Sequence, residues 1–275
     1  MIVSGIDVGG KNVHAVIVKD GKIIAKAGAP SGINKAEAAD KLYTEMLKQA
    51  GMNRGDVERV VATGSSGQRA AFADGVIPDA AADARGVIQL IPSARTVIDV
   101  GAEEGRAIKI SPEGKVLDFA INEKCAAGTG TFVDSMARAL EIPVEEMAEL
   151  SLKSTNAIPM NAQCAVFGES EVVSLIHQKT SKQDIARAVH DAIAGRVGSV
   201  ARIVGLENDI VMIGGMANNT GFVDSLRREI DIDVKVPDDP NYIGALGAAA
   251  AAAAGVTEEK VEAKVVEKET IAEGT

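Results

Sequence analysis

Two stretches of this sequence repeat one pattern, and the repeat limits the folds open to the chain. The first begins with a β-branched strand, Ile2–Val8, and a Gly9-Gly10 turn; strands at 13–18 and 23–27 follow, separated by Asp20-Gly21. The second begins with Thr96–Val100 and a Gly101 turn; strands at 106–110 and 116–121 follow, separated by Glu113-Gly114. In both, the first strand ends in Asp-Val-Gly. β-Branched runs bounded by Gly and Asp read as strands, so each stretch is a β-meander. Helical patterns follow at 35–50 after the first, and at 131–140 and 166–178 after the second. Strands then helices, twice over, predict two facing α/β domains, 1–94 and 95–255, with a boundary near Pro92 to Arg95. A further apolar strand, Ile210–Ile213, ends in Gly214-Gly215. A Gly- and Ala-rich helix at 242–254 closes the fold and packs back towards the first domain. Residues 256–275, rich in Glu, Lys and Thr, read as a disordered tail.

Composition removes several function classes. Of 275 residues 46% are apolar, enough for a buried core, but only 3% are aromatic and none is Trp. Stacking platforms for nucleobases need several exposed rings. The net charge of −10 opposes binding to a phosphate backbone. Nucleic acid is therefore not an expected partner. The start, Met1-Ile2-Val3-Ser4-Gly5, lacks the basic and apolar regions of a secretory signal. The Ala248 to Ala254 run is far short of the roughly 20 residues that cross a bilayer. The expectation is a cytoplasmic protein without a membrane partner, whose two cysteines are thiols or metal ligands rather than a disulfide framework.

Asp7 and Asp99 each close a predicted strand beside a glycine turn. Glycines let backbone amides approach phosphate oxygens, and a carboxylate there can hold Mg²⁺ directly or through water. One Asp-x-Gly is an ordinary β-turn more often than a site. Two in matching meanders, with Gly214-Gly215 after a third strand, point to a nucleotide. These residues resemble the actin-like (ribonuclease H-like) ATPase superfamily. In that resemblance Asp7-Val8-Gly9-Gly10 and Asp99-Val100-Gly101 are the two phosphate loops. Ile213-Gly214-Gly215-Met216 lies under the adenosine, and ATP occupies the cleft between domains. The pattern departs at Lys11 and Asn12, where members often carry Ser or Thr. Lys11 is either a phosphate contact or a solvated turn residue.

Cys125 precedes Ala126-Ala127-Gly128-Thr129-Gly130, and Cys164 precedes Ala165-Val166-Phe167. Both sit near predicted helix N-termini, where thiol pKa falls and anionic ligands are favoured. Buried small hydrophobes are the bland alternative. A four-iron cluster wants four thiolates, so a chain with two must share it with a second subunit; a shared Cys₄ zinc site obeys the same arithmetic. The three histidines, His14, His177 and His190, form no metal-ligand spacing.

The stretches Asn122 to Phe132 and Cys164 to Val172 closely resemble the ATPase components of benzoyl-CoA reductase and the activators of 2-hydroxyacyl-CoA dehydratases. That resemblance implies that Cys125 and Cys164 of two subunits hold one [4Fe–4S] cluster at the dimer interface. A ferredoxin or flavodoxin would reduce it, and ATP would drive the electron on to catalytic reductase or dehydratase subunits. Lowering a one-electron potential by ~300 mV takes roughly 7 kcal/mol, so the ATP state must alter the cluster's surroundings or docking.

Within the family, Asp99-Val100-Gly101-Ala102-Glu103-Glu104-Gly105-Arg106 lacks the Gln and Asp typical of dehydratase activators. It looks more like the smaller benzoyl-CoA reductase ATPase subunit, with a homodimeric dehydratase activator as the alternative. Expected roles are Asp7 and Asp99 for Mg²⁺ and for the attacking water. Gly9, Gly10, Gly101, Gly128, Thr129 and Gly130 give phosphate access, and Gly214, Gly215 and Met216 form the adenosine shelf. Glu103 and Glu104 either polarise water or are solvated acids. A small-molecule kinase would instead need a phosphoacceptor pocket and no cysteine role. A non-catalytic assembly subunit binding nucleotide or zinc is the other rival.

Overall fold

The computed structural model describes residues 1–122, 129–160, 165–259, 261 and 264–265. They form two compact units. The first comprises Met1–Val97, Ile110–Leu117 and Pro237–Glu262; the second comprises Ile98–Lys109, Asp118–Val236 and Ala263–Thr275.

The first unit carries a five-stranded sheet built on the N-terminal meander: β1 (Ile2–Val8), β2 (Asn12–Lys19) and β3 (Lys22–Pro30). β4 (Arg59–Thr63) and β5 (Gly75–Val76) extend it, in the order β3-β2-β1-β4-β5. β1 runs antiparallel to β2, pairing Asp7 with His14, and parallel to β4, pairing Asp7 with Thr63. Alternate β1 side chains face opposite sides of the sheet. Ile6 and Val8 meet the apolar face of α1 (Lys35–Gln49), through Ala39, Leu42, Tyr43, Met46 and Leu47. Val3 belongs to a second core with Ala245, Leu246, Ala248, Ala249 and Ala252 of α8 (Ile243–Ala253). That alternation puts Gly5 and Asp7 on the α8 side.

Why this helix is so poor in large residues follows from how near it lies. A Cβ at Gly5 would fall 1.9 Å from the Ala245 carbonyl oxygen. On its other side α8 meets α2 (Asp79–Leu90), where a Cβ at Gly247 would fall 1.7 Å from the Ala82 oxygen and one at Gly86 2.3 Å from the Ile243 oxygen. Backbone thus packs on backbone, with alanines filling the remaining space.

The second meander, β6 (Thr96–Val100), β7 (Gly105–Ile110) and β8 (Val116–Asn122), is joined by β9 (Ile210–Ile213), β10 (Val234–Lys235) and β11 (Lys264–Val265) in the order β10-β9-β6-β7-β8-β11. Ile98, Val100, Ala107, Ala120, Ile210 and Met212 share one core with the second unit's helices. Those helices are α3 (Gly130–Ala139), α4 (Glu146–Leu152), α5 (Ala165–His177), α6 (Lys182–Val204) and α7 (Thr220–Ile230). Phe132, Met136, Val189, Ile193, Phe222 and Leu226 are among the side chains they contribute.

The meanders, α1, α3, α5, α8 and β9 follow the sequence expectations within a residue or two, except that β3 runs three residues further than expected, to Pro30. β4, α2, α6 and α7 were not anticipated. Within the tail, Thr257 packs against Gly75, Glu258 bridges to Val76, and β11 pairs in parallel with Ala120 and Ile121.

Two glycines should respond oppositely to one added methyl group. Gly247→Ala forces a Cβ into backbone that cannot rotate away, and is expected to cost roughly 3 kcal/mol in urea unfolding. Gly195 lies inside α6 with nothing within 4 Å of its Cβ position, so Gly195→Ala should stabilise by about 0.5–1 kcal/mol.

Candidate functional site

Each unit presents the same construction at the end of its first strand. In the first unit the chain passes Asp7 and Val8, then turns, with the Gly9 N–H donating to the Asn12 carbonyl at 3.0 Å. In the second it passes Asp99 and Val100, then turns, with the Gly101 N–H donating to the Glu104 carbonyl at 2.9 Å. The neighbouring strand ends beside each aspartate in a glycine of positive φ: Gly64 after β4, at +94°, and Gly214 after β9, at +83°. A Cβ at Gly64 would lie 2.3 Å from Asp7 Oδ1, and one at Gly214 would lie 2.3 Å from Asp99 Oδ1. No L side chain fits there, and the left-handed backbone favours glycine on its own account. Two carboxylates therefore stand against bare backbone at matched positions of the repeat.

The first unit adds acidic and hydroxyl groups around Asp7. Asp79, the first residue of α2, accepts the Gly64 N–H at 2.6 Å and the Thr63 hydroxyl at 3.2 Å, fixing the strand end. One turn later Asp83 is buried. A Cβ at Gly244 would sit 2.9 Å from Asp7 Oδ2 and 3.4 Å from Asp83 Oδ1. Both carboxylates thus meet the first turn of α8, where the positive end of the helix dipole favours them. The Gly9–Asn12 turn is braced by Ser31, whose N–H donates to the Lys11 carbonyl at 2.9 Å and whose hydroxyl donates to the Gly9 carbonyl at 3.0 Å. Lys11 itself is exposed.

In the second unit the N-terminus of α3 is stitched to the turn. The Gly130 N–H donates to the Gly101 carbonyl at 2.9 Å, and the Thr131 N–H to the Ala102 carbonyl at 3.0 Å. A Cβ at Gly130 would lie 3.6 Å from Met216 Sδ. Asp99, Gly101, Gly130, Gly214 and Met216 are thereby brought together, with Thr129 buried at the start of α3. Gly215 follows Gly214 directly and opens a short 3₁₀ turn. Arg106 crosses this site: its Nε is 3.5 Å from Asp99 Oδ2, and its Nη2 is 2.7 Å from Glu104 Oε2. Glu104 is therefore engaged by an arginine, while Glu103 is exposed on the turn. Cys125, Cys164 and Gly128 lie outside the described residues.

Sequence reasoning missed Gly64, Asp79, Asp83 and Arg106. A signal for the first was present: Thr63-Gly64-Ser65-Ser66-Gly67 closes β4 as Ile213-Gly214-Gly215 closes β9. Of the three histidines that form no metal-ligand spacing, His190 has a structural role. This fully buried ring on α6 accepts from Asn219 Nδ2 at 3.0 Å through its Nε2, and Asn219 caps α7 by accepting the Phe222 N–H at 3.0 Å. That helix directly follows the Gly214–Asn218 turn, so the buried ring anchors the far end of the glycine loop.

Residues 4–252 match the BadF/BadG/BcrA/BcrD ATPase family. The chain belongs to that family. It is 39% identical over 249 residues to the activator of lactoyl-CoA dehydratase of Anaerotignum propionicum, covering 90% of this chain and 96% of the relative. The 2-hydroxyisocaproyl-CoA dehydratase activator of Clostridioides difficile is 36% identical over 249 residues, at 90% and 94% coverage. A benzoyl-CoA reductase subunit of Thauera aromatica is 33% identical over 260 residues, at 90% and 92%. Among solved structures, component A of the Acidaminococcus fermentans (R)-2-hydroxyglutaryl-CoA dehydratase aligns with a TM-score of 0.89 and 36% identity, covering 93% of this chain and 98% of that one. The Clostridium difficile 2-hydroxyisocaproyl-CoA dehydratase activator with bound ADPNP aligns at 0.87 and 34%, covering 96% and 100%. A ROK glucokinase from Streptomyces griseus, at 0.61 and 16% identity over 93% and 100%, shares the fold alone. The fold is the actin-like ATPase fold.

These identities correct one expectation. The leaning towards the smaller benzoyl-CoA reductase ATPase subunit rested on a few residues after Asp99. Across the whole chain the dehydratase activators, at 36% and 39%, share more identity than the reductase subunit at 33%. A short loop can diverge without changing the frame that carries it. Among the described residues, no helix is long and apolar enough to cross a membrane.

The buried ring gives a pH prediction. Desolvation pushes the His190 pKa down from 6.5 to about 4, against a smaller raising effect of Asp191. The folded chain keeps this ring neutral at pH values where the unfolded chain takes up a proton. Its contribution to stability is full above pH 6.5 and is lost as pH falls towards 4. Between pH 7 and 5 the loss should be roughly 2 kcal/mol. Urea unfolding at the two pH values should show it, and the His190→Gln variant should show a loss smaller by about that amount.

Proposed function

We propose that this chain is the ATP-dependent activator of a 2-hydroxyacyl-CoA dehydratase, delivering electrons at low potential to its catalytic component. The observation that carries the reading is the matched pair of strand-end sites, Asp7 against Gly64 and Asp99 against Gly214. The identity to dehydratase activators supplies the reaction class, and an activator of the same fold holds ADPNP.

The residues fit a magnesium nucleotide. Bare backbone at Gly9, Gly10, Gly64, Gly101, Gly130, Gly214 and Gly215 leaves room for phosphate oxygens to meet N–H donors. Asp7 and Asp99 are the carboxylates that would hold Mg²⁺, a hard cation that is bound through one or two carboxylates and keeps several waters. Asp79 holds the Thr63–Gly64 strand end that Asp7 faces, and Arg106 orients Asp99. Glu103, exposed on the second turn, is the remaining acid available to orient a water. Met216 and Gly215 supply the apolar shelf under the base.

The donor set also fits a shared [4Fe–4S] cluster. Two thiols per chain make four in a pair of chains, and Cys164 directly precedes α5, whose first residue is Ala165. A bound cluster would supply one-electron transfer. The partners of this reading are a second ATPase chain, the dehydratase's catalytic subunits, and a ferredoxin or flavodoxin donor, in the cytoplasm.

The test is reactivation. Anaerobically purified chain, mixed with a 2-hydroxyacyl-CoA dehydratase component and dithionite, should restore dehydration only when MgATP is present. Iron and acid-labile sulfide should approach about four of each per two chains. Cys125→Ser and Cys164→Ser should each lose the iron while still binding ATP. Zinc in place of iron, or reactivation without nucleotide, would sink the reading and return the chain to the assembly-subunit class.

A further inference from the structure

The first phosphate turn of this chain contains no hydroxyl. Gly9-Gly10 is followed by Lys11 and Asn12, so one donor that a phosphate loop can use is missing from the turn itself. Two other segments converge on the same backbone. The Ser66 N–H donates to the Val8 carbonyl at 2.9 Å, and Ser31 binds the Lys11 and Gly9 carbonyls. From Ser31 the chain passes through Gly32, Ile33 and Asn34 and enters α1 at Lys35. The Lys35 ammonium then reaches across and donates to Ser66 Oγ at 3.1 Å. Lys35 is therefore tethered to the Val8–Lys11 backbone twice, through Ser31 along the chain and through Ser66 across space.

This position is electrostatically odd for a lysine. The first turn of a helix carries partial positive charge, and a cation there is unfavourable. The acid in that turn, Glu37, is occupied with the cap: its N–H and its carboxylate both bond the Asn34 side chain. Lys35 turns instead to the half-buried hydroxyl of Ser66, the residue whose N–H holds the Val8 carbonyl. A hydroxyl that accepts from an ammonium keeps its own proton to donate. Ammonium and hydroxyl together offer several donors and a full positive charge, the complement of a phosphate group, which only accepts.

We propose that Lys35 and Ser66 form the anion-binding part of the first phosphate site, contacting the terminal phosphate of the bound nucleotide in place of the hydroxyl that the Gly9–Asn12 turn lacks. The inference rests on the nucleotide reading above. It assigns a charge to discriminate ATP from ADP, since the terminal phosphate carries the larger share of charge and is absent from the diphosphate.

The test is titration calorimetry of the full chain with MgATP and MgADP. Lys35→Met should weaken MgATP about tenfold or more and MgADP markedly less. Lys35→Arg should restore most of the difference, and Ser66→Ala should weaken MgATP by a smaller factor. Lys48→Met, at the other end of the same helix, should leave both affinities unchanged. Unaltered circular dichroism melting would show that the half-exposed Lys35 site does not carry the fold. Equal affinities in Lys35→Met and the unaltered chain, or equal losses for ATP and ADP, would overturn the assignment while leaving the nucleotide reading intact. Failure of the unaltered chain to bind either nucleotide would overturn that reading, and this assignment with it.

Discussion

The structure depends on one steric constraint, applied twice. A neighbouring strand must end beside an aspartate without placing any side chain against it. Glycine in a left-handed conformation is the residue that meets the requirement: a Cβ at Gly64 or at Gly214 would lie 2.3 Å from a carboxylate oxygen. Everything near each aspartate follows from that opening. The turn after the aspartate runs over bare backbone, and a helix or hydroxyl-bearing loop closes in from the side. In the first unit Asp79 pins the glycine, and Asp83 and the start of α8 close behind Asp7. In the second, α3 is stitched to Gly101 and Ala102, while Arg106 takes the place opposite Asp99.

The close approach of α8 extends the same logic into the core. Asp7 can meet the first turn of that helix only because Gly5, on the same face of β1, lets the helix lie against the strand. Alanines at 245, 248, 249 and 252 then fill a space too shallow for larger side chains. What composition presents as a low-complexity alanine run is a close-packed contact that places a carboxylate at a helix N-terminus. The second unit solves the corresponding problem with large residues, Phe132, Met136 and Phe222, and with a neutral buried histidine that holds the cap of α7.

Much of this was legible in the sequence because it depends on local pattern. The two meanders announce themselves through β-branched runs and Asp-Val-Gly endings, and the glycines of the second strand end are conspicuous after Ile210–Ile213. The parts that were not legible depend on contacts distant in sequence. β4 is only Arg-Val-Val-Ala-Thr, and its role appears once it pairs with β1 and brings Gly64 under Asp7. α2 is alanine-rich with weak periodicity, so neither Asp79 nor Asp83 stands out until the helix is seen to begin at the strand end. Arg106 reads as an ordinary strand residue until its guanidinium is found between Asp99 and Glu104. The choice between reductase and dehydratase branches was misread because a few loop residues were weighed above the whole chain.

The central claim is that each of the two Asp–Gly strand ends takes part in nucleotide binding. The most direct measurement is calorimetric titration of MgADPNP into the unaltered chain, Asp7→Asn and Asp99→Asn, each shown by its melting curve to be folded. The account predicts about one nucleotide per chain, with affinity reduced at least tenfold in both variants. Undiminished binding in either variant would contradict it, because the matched geometry would then be a consequence of the repeat and not of the ligand.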